Sequence, residues 1–387
     1  MSRRSRLRIA AASGATALLA VGLLAVSGAV AGPGSAGPDQ DGKVSGGPEE
    51  ELVTPEALGL PAVGDPEDNP ASAAKLALGA RLFFDPGLSA DGTVSCASCH
   101  RPESYFADER ALSNGVEGRP GERNAPSLLN VAYASNLLWD GRSVSLEDQV
   151  RYPVTHPSEM DMTPEGVEDY LAASDEYAAL FKLAFDEDWV AWEQVCQALA
   201  VFERTLLTGG APFDRWMAGD AEAIGSEARR GWELFRGEAG CIDCHHYEVE
   251  RPFFTDFAFH NSGVGWNREE PDLGRYVITK KRPDKGAFRT PSLRNVAETA
   301  PYMHDGSFAN LAAVIDHYAA GGEPNPLLDP KLRPLALSAR DKADLVSFLK
   351  TLTGRVAYPR PALAHRLVAA EMAAKDGAEA GGAEESW

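Results

Sequence analysis

An all-α protein built from two copies of one helical module, with long loops, is what the sequence predicts, on three observations. Apolar residues recur at helical spacing through the centre of the chain, between long stretches punctuated by proline and glycine, and alternating strand-like runs are few. Two segments then repeat in order. Gly79-Ala80-Arg81-Leu82-Phe83 returns as Gly231-Trp232-Glu233-Leu234-Phe235, and Pro126-Ser127-Leu128-Leu129-Asn130-Val131-Ala132 returns as Pro291-Ser292-Leu293-Arg294-Asn295-Val296-Ala297. Asp140-Gly141 and Leu146 go on to match Asp305-Gly306 and Leu311 without a gap. Third, each copy encloses one Cys-x-x-Cys-His pentapeptide: Cys96-Ala97-Ser98-Cys99-His100, and Cys241-Ile242-Asp243-Cys244-His245.

Those pentapeptides carry the chemistry. Two thiols one helical turn apart reach the two vinyl groups of a porphyrin, and the histidine that follows is carried under the iron. Two covalently bound haem c groups are therefore expected, on Cys96, Cys99 and His100 and on Cys241, Cys244 and His245. A zinc site would gather two neighbouring Cys-x-x-Cys pairs, whereas these stand far apart in sequence. A thioredoxin-like redox pair leaves the two histidines unexplained. The fold expectation becomes two cytochrome c-like haem domains related by an internal repeat.

Each segment has its own reading. Arginines at Arg3, Arg4, Arg6 and Arg8, an apolar run and Ala29-Val30-Ala31 mark residues 1–31 as a signal peptide for export to the periplasm by general secretion. An uncleaved anchor or a twin-arginine signal at Arg3-Arg4 fits less well. Residues 32–53 read as a disordered linker, 54–208 as the N-terminal haem domain, 209–356 as the C-terminal one, and 357–387 as a tail. Thr163-Pro164 opens one helix. Ser338 with Asp341 opens another, whose stripe of Leu345, Phe348, Leu349 and Leu352 runs to Gly354. A third runs from about Phe308 to Tyr318, with Phe308, Leu311, Ile315 and Tyr318 on one face and His317 off it. Cys196 sits in a run that reads as a buried helix.

The formal charge of −20 argues against nucleic acid and anionic lipid as partners and suits a basic electron-donor protein. Beyond the leader no segment is long and apolar enough to span a membrane.

The two copies differ in ways that make the sites unequal. Trp139 precedes Asp140-Gly141, where His304 precedes Asp305-Gly306. Gln149 and Glu159 follow the first copy only. Together with Leu82-Phe83-Phe84-Asp85, Arg123-Asn124-Ala125-Pro126, Trp139-Asp140-Gly141-Arg142, Pro157-Ser158-Glu159-Met160 and Thr299-Ala300-Pro301-Tyr302-Met303-His304-Asp305-Gly306, these residues make the chain, from about Thr54 to Gly354, resemble the bacterial di-haem cytochrome c peroxidase and MauG family.

The resemblance implies that the haem on His100 meets hydrogen peroxide, with Glu159 moving the proton and Gln149 hydrogen-bonding the ligand. It implies that Trp139 relays charge between the haems. It also implies that Asn124, with the Thr299 and Pro301 carbonyls, holds a calcium ion. Read from sequence alone, Glu159 is a loop carboxylate, Trp139 a core aromatic and Asn124 a turn residue. No histidine occurs from Arg101 to Arg123, where many of these peroxidases close the first site, so an open site is expected. Tyr318 stands where they carry a methionine ligand to the second iron, as in the MauG branch, with Met303 as rival. Electrons would come from a small c-type cytochrome or a cupredoxin, or from oxidisable side chains of a partner protein. A plain di-haem electron carrier is the third reading.

Overall fold

The computed structural model describes residues 54–359. The expected signal peptide, the linker and the tail beyond Pro359 lie outside the described residues. The first half contains α1 (Ala73–Phe83), the single turn α2 (Cys96–Cys99), α3 (Leu146–Gln149), α4 (Arg151–Thr155), α5 (Pro164–Ala172), α6 (Asp175–Phe185) and α7 (Trp192–Glu203). The second contains α8 (Pro212–Met217), α9 (Ser226–Arg236), α10 (Tyr276–Thr279), α11 (Leu311–Ala319) and α12 (Ala339–Lys350). Four short strands, β1 (Leu207–Gly209), β2 (Phe259–His260), β3 (Phe288–Arg289) and β4 (Arg355–Ala357), pair antiparallel as β1–β4 and β2–β3. The protein is helix-rich, and its strands are too short to form a layer.

Each half is held by one close helix crossing that a glycine permits. A Cβ on Gly79 in α1 would lie 2.0 Å from the Ala198 carbonyl oxygen and 3.0 Å from Phe202 Cβ in α7. A Cβ on Gly231 in α9 would lie 2.0 Å from the Asp344 carbonyl oxygen and 2.7 Å from Phe348 Cβ in α12. These two glycines open the repeated Gly-x-x-Leu-Phe segment, so the repeat encodes a contact between backbones. Phe83, Phe202, Phe106 and Phe181 fill the first core, and Phe213, Trp232, Phe235, Phe254 and Phe348 the second. Each such side chain contributes roughly 1.5–3 kcal/mol by leaving water. Gly79→Ala and Gly231→Ala should each cost about 1–3 kcal/mol through overpacking. Urea unfolding at matched haem content measures this, and unchanged midpoints would contradict the crossing.

Caps follow the sequence signals at two helices. Thr163 Oγ1 accepts the Gly166 N–H at 3.0 Å, and Ser338 Oγ accepts the Asp341 N–H at 3.2 Å. Three boundaries differ from expectation. α11 begins at Leu311, because Asn310 caps it by accepting the Ala313 N–H at 3.0 Å. Phe308 therefore lies outside the helix and pairs with Tyr302 in an isolated bridge. α12 ends at Lys350, although Leu352 beyond it is still buried. Ala357 belongs to β4, and the Tyr358 ring meets Phe106 edge-on at 4.9 Å, so both lie in the folded body rather than a tail. β1 spans the expected domain boundary at 208/209. Cys196 is fully buried in α7.

Candidate functional site

Both histidines of the Cys-x-x-Cys-His motifs are oriented by the same device. In each motif the histidine N–H closes the turn onto the first cysteine carbonyl at 2.9 Å. His100 Nδ1–H donates to the Phe106 carbonyl at 3.2 Å, and His245 Nδ1–H to the Phe254 carbonyl at 2.9 Å. That fixes the tautomer and leaves Nε2 free to bind a metal. Phe106 (φ 57°) and Phe254 (φ 54°) are both left-handed, a costly conformation for a bulky residue that turns each carbonyl toward its histidine. Ser127 and Ser292 of the repeated Pro-Ser-Leu segment pin the preceding carbonyls, Tyr105 at 2.6 Å and Phe253 at 2.7 Å. Burial lowers both imidazole pKa values, which favours the neutral, ligating form. All five cysteines are free, and burial pushes Cys96, Cys99 and Cys241 above the usual thiol range.

Around His100, α2 is set by a capping box in which Ser98 Oγ accepts the Ser95 N–H at 3.0 Å. Glu159 follows α4 in a tight turn, its N–H on the His156 carbonyl (2.9 Å) and its carbonyl accepting the Val116 N–H (2.8 Å). Its side chain is 47% exposed yet ringed by protein. Desolvation raises its pKa, opposed by His156 and Arg142, and its charge is felt at Cys99. A wetted carboxyl with a raised pKa at the rim of a thiol-and-imidazole site suits proton transfer. Gln149 ends α3 half-buried, and its amide has no partner among the described residues. No hydrogen bond joins it to Glu159. Sequence reading missed His156, whose Nδ1 lies 3.8 Å from Glu159 Oε1, because it stands outside the 101–123 segment and belongs to no motif.

The remaining expected residues gather at one cavity of about 310 Å³. Cys241, Cys244, His245, Tyr318, Met303, Trp139, Asn124, Thr299 and Pro301 all line it. Tyr318 projects from α11, and burial pushes its phenol up to about 12. Met303, at φ 74°, sits in the turn before Asp305-Gly306. His317 is off the Leu311–Ile315 face, its ring 5.2 Å from that of Tyr318. Trp139 Nε1–H donates to the Asn124 carbonyl at 2.8 Å, and the Asn124 N–H donates to the His304 carbonyl at 2.8 Å, so the indole joins both halves. The His304 ring stacks on Phe288 at 3.7 Å and meets Trp139 edge-on at 6.5 Å. The Asn124 side-chain amide donates to the Arg110 and Ala111 carbonyls at 3.1 and 3.3 Å.

The cavity fits a haem, which brings carboxylates. Arg289, Lys331 and Arg333 line it, yet none has a carboxylate within 4 Å among the described residues. Desolvation drives the Arg289 pKa down to about 10, a sign of a buried cation without a counter-ion. His260 stands on the same wall between Asp329 (2.6 Å) and Asp256 (2.9 Å). Cys244 completes a cluster with Asp256 and His260 that has the look of a metal site, but haem attachment would consume that sulfur. Arg289→Leu should lower the fraction of chains carrying a second haem and the potential of that haem. Intact-protein mass and a redox titration check this, and equal occupancy and potential would contradict it.

Glu203, at the end of α7, also escaped sequence reading. It is 4% exposed, one carboxylate oxygen has no partner, and desolvation lifts its pKa to about 8 against the pull of Arg204. The folded state thus keeps a proton that the unfolded chain releases near pH 4.5. Stability should fall as pH rises from about 4.5 to 8, by up to about 1.4 kcal/mol per pH unit. Glu203→Gln should flatten that slope in urea unfolding at several pH values, and an unchanged slope would contradict it.

Two thiol pairs, each leading into a half-buried and oriented histidine, with a charged cavity at one and a carboxyl rim at the other, are the attachment chemistry of a di-haem redox protein. The family model described as di-haem cytochrome c peroxidase matches residues 73–222. The methylamine utilization protein MauG of Methylorubrum extorquens is 45% identical over 293 residues, 75% of this chain and 81% of the relative. Cytochrome c551 peroxidase of Nitrosomonas europaea is 34% identical over 291 residues, 74% of this chain and 81% of the relative. The crystal structure of a MauG-like protein associated with microbial copper homeostasis superposes with a TM-score of 0.69 at 34% identity, covering 76% of this chain and 94% of that one. The chain belongs to the di-haem cytochrome c peroxidase family and is a haem-dependent oxidoreductase. No helix among the described residues is long and apolar enough to cross a membrane.

Proposed function

We propose that this chain is an exported periplasmic enzyme that reduces hydrogen peroxide to water at the His100 site and draws electrons through the His245 site. Its two haems are covalently held by Cys96 and Cys99 and by Cys241 and Cys244, on two modules that descend from one duplicated unit. The observation that carries the reading is Glu159, a carboxyl of raised pKa at the rim of the first site, whereas Asp256 beside the second, despite desolvation, has its pKa lowered by His260. When bound, the haems supply the electrons that split the O–O bond. Glu159 takes a proton from the near peroxide oxygen and returns it to the far one, and the free amide of Gln149 orients the ligand. His156 and Arg142 hold Glu159 toward its ionised form. Trp139, bridging Asn124 and the cavity wall, carries charge between the sites. His245 and Tyr318, which line the same cavity, are the residues that would hold the second iron. The side chain of Asn124 and the carbonyls of Thr299 and Pro301 offer the all-oxygen donors that suit calcium.

A second reading has an observation in its favour. Tyr318 rather than a methionine occupies the α11 wall of the second cavity, and a phenolate ligand stabilises oxidised states. That suits a MauG-type enzyme, which oxidises side chains of a partner protein. Stopped-flow mixing of the diferric protein with peroxide, with and without a reduced c-type cytochrome, tests the proposal. Peroxidase function predicts stoichiometric oxidation of the cytochrome. Fast peroxide consumption that leaves the cytochrome reduced would favour the second reading, and inertness to peroxide would leave a plain electron carrier.

A further inference from the structure

The segment Arg275–Lys285 is a basic island on a chain of net charge −20. It carries Arg275, Lys280, Lys281, Arg282 and Lys285 against a single acid, Asp284, whose carboxylate accepts the Thr279 hydroxyl at 2.6 Å. Lys280, Lys281 and Arg282 are exposed and have no carboxylate within 4 Å among the described residues, and Lys280 reaches only the Tyr276 ring. A run of lysines alone is ordinarily a solvated face. Here it adjoins Val277 and Ile278, 45% and 44% exposed. Solubility explains the charges but not two β-branched apolar side chains beside them, whereas an apolar centre with a charged rim is the composition of an interface.

The island is stiff and tied to the tryptophan between the sites. Its base is closed by the Arg275 N–H on the Ala287 carbonyl (2.8 Å) and the Gly286 N–H on the Leu273 carbonyl (2.9 Å). Gly274, at φ 55°, has no room for a side chain: a Cβ would lie 2.3 Å from the Ala287 carbonyl oxygen. The Arg275 guanidinium lies over Phe259 at 4.4 Å and donates to the Asp140 and Gly141 carbonyls at 2.8 and 2.6 Å, the turn directly after Trp139. From the other end the chain enters β3, where the Arg289 N–H donates to the Trp139 carbonyl at 2.8 Å. Both ends of the island therefore grip the backbone around Trp139.

We infer that this island is a docking surface for an acidic redox protein, with Val277 and Ile278 at its centre and Lys280, Lys281 and Arg282 as its rim. The inference rests on the proposed function only in what the partner delivers. The acidic chain as a whole repels such a partner from afar. At physiological ionic strength charges are screened over about 8 Å, so the local island governs the final approach. An extended polyanion would overrun the island onto acidic surface, whereas a small protein would not.

The test uses the haem-loaded protein without peroxide, so that failure of the peroxidase reading cannot mask the result. Calorimetry at low salt should show binding of plastocyanin, an acidic cupredoxin. Binding should weaken by about tenfold or more in K280E/K281E/R282E and on raising salt to about 0.3 M. Val277→Ser with Ile278→Ser should weaken it while preserving the salt dependence. Binding of mitochondrial cytochrome c, a basic protein, should not weaken in the charge-reversed variant, and weakening there would overturn the inference. If that variant fails to fold, K281A/R282A gives the same reading at exposed sites whose side chains make no hydrogen bond or ion pair among the described residues. Equal binding of plastocyanin by wild type and variant, or no binding by wild type, would overturn the inference.

Discussion

Glu159→Gln should slow the reaction with peroxide by about 10²- to 10⁴-fold while both haems stay attached, the usual contribution of a positioned acid–base group. The amide keeps the shape of the carboxyl and its place in the turn, but it cannot take up a proton. Desolvation raises the Glu159 pKa, and the carboxylate is the form that begins the transfer. The wild-type rate should therefore fall as pH drops through that raised pKa, and the Gln variant should lack this acid limb. The turn gives a second handle. A Cβ on Gly115 would lie 2.2 Å from the Ser158 carbonyl oxygen and 2.5 Å from that of Glu159. Gly115→Ala should thus reproduce part of the loss by displacing the carboxyl without altering it. Stopped-flow traces across pH for both variants check the role, and wild-type kinetics in Glu159→Gln would remove it.

Tyr318→Met should raise the potential of the His245 haem by on the order of 10² mV, within the roughly 0.8 V that axial ligands span. The phenol is buried and its pKa is pushed up to about 12, so at neutral pH it would stay protonated unless a cation drew the proton off. An iron held at His245 would be that cation, and a Tyr318 phenolate would then favour the oxidised state. A neutral thioether in its place favours the reduced one. The variant should also gain a methionine–iron charge-transfer band, which wild type is expected to lack. Redox titration and near-infrared absorption read both effects. A band already present in wild type would make Met303, on the same cavity wall, the ligand instead.

What was legible in the sequence was local. Cys-x-x-Cys-His needs one helical turn, and the Gly-x-x-Leu-Phe segments showed as a repeat, although the helix crossings at their glycines did not. The capping residues Thr163 and Ser338 also acted as read. The start of α11 was misread because Phe308 continues the apolar period into a segment that forms a bridge, although Asn310 carried the cap signal. What sequence could not give was assembled at long range. The Phe106 and Phe254 carbonyls orient the histidines through left-handed backbone that no side-chain pattern encodes. Arg289 and Glu203 read as ordinary charges beside ordinary helices. Only desolvation without an ion-pair partner sets them apart, and desolvation belongs to the fold.

The central claim is that the two sites are unequal: His100 open to peroxide, His245 closed by Tyr318. Electron paramagnetic resonance of the resting diferric protein, before and after one equivalent of peroxide, tests it most directly. One high-spin and one low-spin ferric signal are expected at rest, both lost or altered once peroxide is added. Two low-spin signals that peroxide leaves unchanged would contradict it.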